Sequence, residues 1–253
     1  MGANMKTYFV FSDTHSFFAL FWQALLDNGF EVNNPNHILI ALGDMYDRGI
    51  EAVEMYEFLK EMQSKNRLIY IKGNHEDLLF DCVKELRETG GCASLHHWSN
   101  GTVDTIMQLK EKGLLDEVLQ FIQDNTIDYY ELGNYIFTHA GLPLKLTYKN
   151  NKPIMVIDKK ANKEEFAKHR WDNPIKNLQE GYLLSNKVMV VGHWHCSALW
   201  HYLYPKKYSD FNSFGDLPMN FDICKTNNLI MIDACTAYTK KVNILKIEER
   251  LER

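Results

Sequence analysis

No stretch of the 253 residues approaches the ~20 consecutive apolar positions that a membrane-spanning helix requires. Residues 1–10 hold no long apolar run of the secretory type either. Basic residues are not in excess: the formal net charge is −5, which argues against nucleic acid as the main partner, since phosphate backbones demand a basic surface. Cysteine is sparse. Cys82, Cys92, Cys196, Cys224 and Cys235 are odd in number and form no C-x-x-C pair, so reduced thiols and a cytoplasmic location are expected. Repeats, low-complexity tracts and linkers are absent, and with 45% hydrophobic content the chain can bury a substantial core. A single domain over 1–253 is therefore expected.

Five short polar clusters stand out, each at the end of an apolar run: FSDTH at 11–15, GDMYDRG at 43–49, GNHE at 73–76, THAG at 138–141 and GHWH at 192–195. They supply Asp13, His15, Asp44, Asn74, His139, His193 and His195, oxygens and imidazole nitrogens suited to two adjacent divalent cations. Any one of these clusters occurs often by chance; five in series do not. With no thiolate among the donors, the set suits manganese, iron or zinc rather than an iron–sulfur cluster or a structural zinc knot.

Two neighbouring cations repel, so an anionic ligand between them is needed, and Asp44 is the candidate bridge. Such a pair can acidify a shared water and neutralise a phosphate oxygen during in-line attack, which points to phosphoester hydrolysis. Arg48 offers a planar guanidinium that can hold two phosphate oxygens at once. His75, beside ligand Asn74, can protonate a leaving alkoxide if a carboxylate keeps it oriented and cationic, and Asp47 is the natural partner.

This order of motifs resembles the calcineurin-like metallophosphoesterases over residues 7 to about 247. The DRG and GNHE versions are similar to the PPP phosphoprotein phosphatases, including small bacterial and phage enzymes and the symmetrical diadenosine tetraphosphatases. The resemblance implies Asp13, His15 and Asp44 on one metal, and Asp44, Asn74, His139 and His193 on the other, with Asp47 and His75 as an acid dyad. NGTVDT at 100–105 and IDACTAY at 232–238 are further echoes. The sequence departs from the PPP pattern in SDTHS, in HAG and in GHWH; the second histidine of GHWH, His195, is by comparison with the wider superfamily an added ligand of the first metal. PPP enzymes place a second arginine on the substrate phosphate, and Arg170 in HRWDNP is the candidate. Beside Arg48 and Arg170, Asn74 is expected to touch the phosphate.

The resemblance also implies an α/β fold, a two-sheet β-sandwich flanked by helices. TYFVF, HILIAL and RLIYI read as buried parallel strands, with helices over 16–28 and 50–64 between them. Residues 77–126 read as a helical cap interrupted at Gly90–Gly91 and at LHHWSNG. Strand signals return at YIFTH, VMVVGH, NLIMIDA and KVNILKI, while 145–168 reads as a variable excursion. Several residues take the bland interpretation: His96 and His97 as structural, His37, His169 and His201 as surface, Trp194 as packing, and Glu248, Glu249 and Glu252 with Arg250 and Arg253 as a solvated end. Lys72 divides evenly between a solvated lysine and a charge near the phosphate.

The expected function is dimetal-dependent hydrolysis of phosphomonoesters, as a serine/threonine-type phosphoprotein phosphatase acting on a phosphorylated protein or small phosphoester. The alternatives are a dinucleoside polyphosphate hydrolase, a phosphodiesterase, or a catalytically silent metal-binding scaffold.

Overall fold

The computed structural model describes residues 5–212 and 215–250. Residues 1–4 and 251–253 of the expected domain, including Glu252 and Arg253, lie outside the described residues. In chain order the elements are β1 (Met5–Phe11), α1 (Phe18–Asp27), β2 (His37–Ala41), α2 (Ala52–Ser64), β3 (Leu68–Ile71), α3 (Asn74–Thr89), α4 (Leu95–Ser99), α5 (Thr102–Glu111), α6 (Leu115–Asn125) and β4 (Thr126–Ile127). There follow β5 (Tyr129–Leu132), β6 (Tyr135–Thr138), β7 (Leu144–Lys149), β8 (Lys152–Ile157), α7 (Lys163–His169), α8 (Pro174–Glu180), β9 (Val188–His195), α9 (Cys196–Leu203), β10 (Cys224–Lys225), β11 (Leu229–Asp233), α10 (Thr236–Thr239) and β12 (Leu245–Arg250).

Two five-stranded sheets result, in the orders β12-β1-β2-β3-β4 and β10-β11-β9-β6-β5. The expected strands β1, β2 and β3 pair in parallel, as do β6, β9 and β11. The period of two along β1 decides the layering. Tyr8 and Val10 face the second sheet and meet Ile40, Phe137, Val190 and Ile232 between the sheets. Phe9 and Phe11 face the other way, into a core shared with Leu39, Leu59, Tyr70, Ile106 and Ile122 under the helices. Both faces being covered, these strands are apolar throughout. Ile136, Met189 and Val191 on the outer face of the second sheet pack with Ile175 of α8 and Leu199 of α9. The protein is thus the expected sandwich, helices on sheet on sheet on helices. Among the described residues no helix is long and apolar enough to cross a membrane.

Some local readings change. LHHWSNG is not a plain break, since α4 forms within it before Gly101, at φ 70, turns the chain into α5. The 145–168 excursion contains a hairpin of β7 and β8, turned by Asn150 and Asn151, both in the left-handed conformation that a tight two-residue turn demands. The presumed solvated end is an edge strand, because Glu248 and Glu249 pair with Thr7 and Lys6, and the Tyr8 hydroxyl donates to Glu249 at 2.8 Å. His37, His169 and His201 are half-buried rather than free on the surface. Each is hydrogen-bonded, to the Glu31 amide, the Asp172 carboxylate and the Tyr208 carbonyl respectively.

Candidate active site

All five motifs sit where strands end, and their backbone is unusual there. Asp13, His15, Asp44, Asp47, Arg48 and His193 all have φ between 48° and 75°, a left-handed conformation that costs an ordinary residue about 1 kcal/mol or more. Its recurrence at the candidate ligands marks turns held by the surrounding packing. Gly43 and Gly73 show how. A Cβ on Gly43 would lie 2.4 Å from the Gly73 amide nitrogen, and one on Gly73 would lie 2.2 Å from Asp44 Oδ1. The GD and GN loops therefore touch back to back, and only glycine fits at the seam.

A buried carboxylate ties this seam together. Glu76 Oε2 accepts the Asp44 and Gly73 amides at 2.9 and 2.7 Å, while Oε1 accepts the Met45 amide at 2.9 Å and the Tyr70 hydroxyl at 2.8 Å. Sequence reasoning quoted this glutamate within GNHE and assigned it nothing. The available signal was its place three residues after Gly73, where a capping carboxylate returns to the start of a helix.

Asp44 is central. Its Oδ1 accepts the His75 amide at 2.9 Å and lies 3.4 Å from His139 Nε2. Two groups of donor atoms, His15 with Asp44 and His75, and Asp44 with His139 and His193, each lie within 4.8 Å of one another and could each hold a metal ion. Asp44 belongs to both groups, as a bridging ligand would. Asn74 Oδ1 adjoins the second group, 2.7 Å from His139 Nε2.

The donor chemistry fits cations. His139 Nδ1 donates to the Leu42 carbonyl at 2.6 Å, which turns Nε2 toward the Asn74 and Asp44 oxygens, where a bound cation would take its lone pair. Asn74 Nδ2 is buried with no partner. Burial, and then the charge of His139, hold His193 down to about 3, so its imidazole is neutral and free to ligate. Asp13 and His195 fall outside both groups, and the first group holds His75 instead. Asp13 Oδ2 accepts the His193 amide at 3.0 Å, and His195 Nε2 lies 3.8 Å from Asp233 Oδ2. Burial, followed by the Asp233 and Asp44 carboxylates, pushes Asp13 well above the usual carboxylate range, a crowding of negative charge that a bound cation relieves. Asp233 is the second residue that sequence reasoning passed over, although IDACTAY contains it.

The proposed acid lies against the same cluster. His75 Nδ1 is hydrogen-bonded to Asp47 Oδ2, and the other Asp47 oxygen holds His15 Nδ1 at 2.7 Å. Burial disfavours a charged His75, but Asp44 and Asp47 outweigh it and raise the imidazole to about 9. Burial likewise opposes the Asp47 charge, and His75 and His15 overcome it, so Asp47 stays below the usual carboxylate range. Arg48 is exposed, with Nη2 3.2 Å from His75 Nε2 and 3.4 Å from Asn100 Oδ1. Its amide donates to the Asn100 carbonyl at 3.1 Å, so the NGTVDT segment seats the arginine.

Other candidates lie elsewhere. Arg170 is buried, its Nε and Nη1 each 2.8 Å from carboxylates of Asp77 and Asp128. Lys72 pairs with Asp77 at 2.6 Å and sits 4.9 Å above the Phe80 ring. Both line a cavity of about 460 Å³ on the flank of α3 that includes none of the ligand residues. His97 is buried and His96 exposed, and Trp194 packs on the second sheet's outer core.

Two sheets meeting at a cluster of carboxylate and imidazole donors define a metal-centred α/β sandwich. The family model described as calcineurin-like phosphoesterase matches residues 6–198, and the chain belongs to that family. Among curated proteins it is 23% identical over 121 residues to the asymmetrical bis(5'-nucleosyl)-tetraphosphatase PrpE of Bacillus subtilis strain 168, covering 46% of this chain and 48% of that protein. It is 26% identical over 119 residues to the protein of the same name from Bacillus velezensis, covering 46% of each. The chain thus spans about half the length of the curated relatives it matches. Among solved structures, the cold-active protein-tyrosine phosphatase of a psychrophilic Shewanella superposes with a TM-score of 0.52 at 13% identity, covering 98% of this chain and 80% of that one. A protein serine/threonine phosphatase from Saccharomyces cerevisiae gives 0.50 at 13% identity, covering 98% and 81%. At that identity the likeness is one of fold.

Proposed function

We propose that this protein is a metal-dependent phosphoesterase that hydrolyses phosphomonoesters, with phosphorylated serine or threonine side chains of proteins as its substrate class. The observation behind this reading is the juxtaposition of an exposed Arg48, a carboxylate-held His75 and the shared Asp44. Asp13, His15, Asp44 and His195 would hold one divalent cation, and Asp44, Asn74, His139 and His193 the other, with manganese, iron or zinc suited to these donors. When bound, such cations acidify water and neutralise phosphate charge.

The chain's own residues do the rest. Arg48 grips two free oxygens of a terminal phosphate, and the Asn74 amide is close enough to the cluster to join it. Asp47 holds His75 Nδ1, so Nε2 presents its proton to the leaving alkoxide oxygen. After transfer the neutral imidazole remains oriented by the same carboxylate and regains a proton from solvent.

A second reading, hydrolysis of dinucleoside polyphosphates, draws support from the name that the two Bacillus relatives share over their matched halves. The free state of all five cysteines favours a reducing compartment such as the cytoplasm. A panel of phosphopeptides, diadenosine tetraphosphate, nucleotides and cyclic nucleotides, assayed with manganese, tests the proposal. Phosphoserine and phosphothreonine peptides are expected to give the highest kcat/KM. A higher value for diadenosine tetraphosphate transfers the assignment to the second reading, and the absence of metal-dependent turnover on every substrate leaves a silent scaffold.

A further inference from the structure

Away from the metal cluster, two thiols face each other. Helix α3 ends at Gly90, whose left-handed φ of 77° reverses the chain, and the returning loop brings Cys92 beside Cys82, with the two Sγ atoms 3.7 Å apart. Both are free; Cys82 is fully buried and Cys92 half-buried. A disulfide has its sulfurs about 2.05 Å apart, so closing this pair needs a movement of roughly 1.7 Å. The turn is tied by Thr89 Oγ1, which donates to the Gly91 carbonyl at 2.9 Å, and space is open around it, since an added Cβ at Gly90 or Gly91 would meet nothing within 4 Å.

That turn is connected to the active site. The Cys92 carbonyl accepts the Trp98 indole N–H at 3.0 Å, which couples it to α4. Helix α4 ends at Asn100, whose carbonyl and Oδ1 are the acceptors that seat Arg48. Gly101 packs on the same residue, since a Cβ there would lie 2.9 Å from the Arg48 amide nitrogen.

We propose that Cys82 and Cys92 are a modification site, a dithiol that exchanges with low-molecular-weight disulfides to form an internal disulfide, and that its closure displaces the Asn100 seat of Arg48. Cys92 is the first to react because it is the accessible thiol, and Glu85 Oε2, 3.7 Å from its sulfur, is placed to take the proton. Burial, and then the Cys92 contact, push the Cys82 thiol up to about 12, which keeps it from leading. The Cys92 thiolate attacks the small disulfide, forming a mixed disulfide and expelling one small thiolate. Cys82, losing its proton, attacks Cys92 Sγ and expels the second. Two protein thiols are oxidised by two electrons, one small disulfide is reduced to two thiols, and both protons pass to the departing thiolates.

The thiol chemistry is independent of the proposed function; the consequences for phosphate binding and for turnover rest on its reading of Arg48. The test treats manganese-loaded protein with oxidised glutathione, removes the reagent and restores manganese. Thiol titration in denaturant should fall from five to three, and peptide mapping should find the 82–92 link. The Kd for inorganic phosphate, measured by calorimetry, and the KM for nitrophenyl phosphate should each rise by about threefold to tenfold, since an ångström-scale displacement of a binding group has effects of at least that order. Dithiothreitol should reverse both. Cys92→Ser should match the untreated wild type and ignore oxidised glutathione, and Cys82→Ala should stop at a mixed disulfide with one glutathione. Five remaining thiols, a different linkage, or an 82–92 disulfide that leaves phosphate affinity unchanged overturns the proposal. Phosphate binding is read without turnover, so a silent scaffold would fail the functional reading and still test this one.

Discussion

His15 and His75 hang from opposite oxygens of one carboxylate: Asp47 Oδ1 lies 2.7 Å from His15 Nδ1, and Oδ2 is hydrogen-bonded to His75 Nδ1. One residue therefore orients a candidate metal ligand and the candidate acid together. The rings meet edge to face with centroids 4.8 Å apart.

This sharing separates Asp47 from His75 by experiment. His75→Asn should slow phosphoserine substrates by on the order of 10²-fold or more and nitrophenyl phosphate less, because a nitrophenolate hardly needs a proton. Asp47→Asn should slow both, since it also loosens His15, and should weaken metal retention in addition. Equal losses on the two substrates in His75→Asn would reduce that histidine to a structural role.

The protonation of His75 has a cost in alkali. In metal-free protein its folded value is about 9 against an ordinary 6.5, so the folded state binds the proton more tightly than the unfolded chain. The resulting stabilisation is complete below about 6.5 and is lost as pH rises through about 9, an effect of roughly 1–3 kcal/mol. Asp47, whose shift is downward, loses its contribution only in acid and leaves this window unaffected. Urea midpoints of chelator-treated wild type should therefore fall between pH 6.5 and 9 more steeply than those of His75→Asn. Parallel slopes would refute the charged-imidazole account.

Metal content is the third prediction. Asp44 is shared between two donor groups, and the seven proposed ligands exceed what one cation needs, so protein saturated with manganese should carry about two equivalents under a two-metal arrangement. Asp44→Asn should deplete both sites, and His195→Ala one of them. A single equivalent with full activity would reject the arrangement.

Glu76 is expected to matter as much as a ligand without being one. It is fully buried and accepts from four donors in the loops that carry Asp44 and Asn74. Glu76→Gln turns one acceptor into a donor facing N–H or O–H groups, which should cost about 2–4 kcal/mol in stability. Thermal melts and manganese titration read the two effects. An unchanged melting temperature would show that the seam holds without it.

Glu76 also illustrates what the sequence could and could not reveal. Strands β1 to β3 were legible because both faces are buried and the apolar runs are unbroken, and the ligand motifs were legible because each closes such a run. Helices α1 and α2 begin two residues later than periodicity suggested, since the Ser16 and Arg48 turns adopt left-handed backbone that side-chain pattern does not report. Asp233 and the clamp of Asn100 on Arg48, 52 positions apart, exist only once distant segments meet. Arg170 shows the reverse: a plausible phosphate arginine in sequence is held by Asp77 and Asp128, which periodicity could not place beside it.

The final prediction concerns substrate charge. Arg48 is exposed and held at its backbone and its guanidinium by Asn100, so its fork is positioned before any substrate arrives. A monoester offers it more free, more negative oxygens than a diester, and the arginine contributes correspondingly more to the monoester's transition state. His195 favours the opposite outcome, because a further ligand of this kind belongs to the wider superfamily pattern, yet it touches metal rather than substrate. Wild-type kcat/KM for nitrophenyl phosphate should therefore exceed that for bis(nitrophenyl) phosphate, and Arg48→Ala should narrow the ratio, lowering the monoester value by about 10-fold to 10²-fold and the diester value less. Faster hydrolysis of the diester by wild-type protein would move the assignment to phosphodiesterase, and an equal loss on both substrates would show that Arg48 supports the site without reading the phosphate's charge.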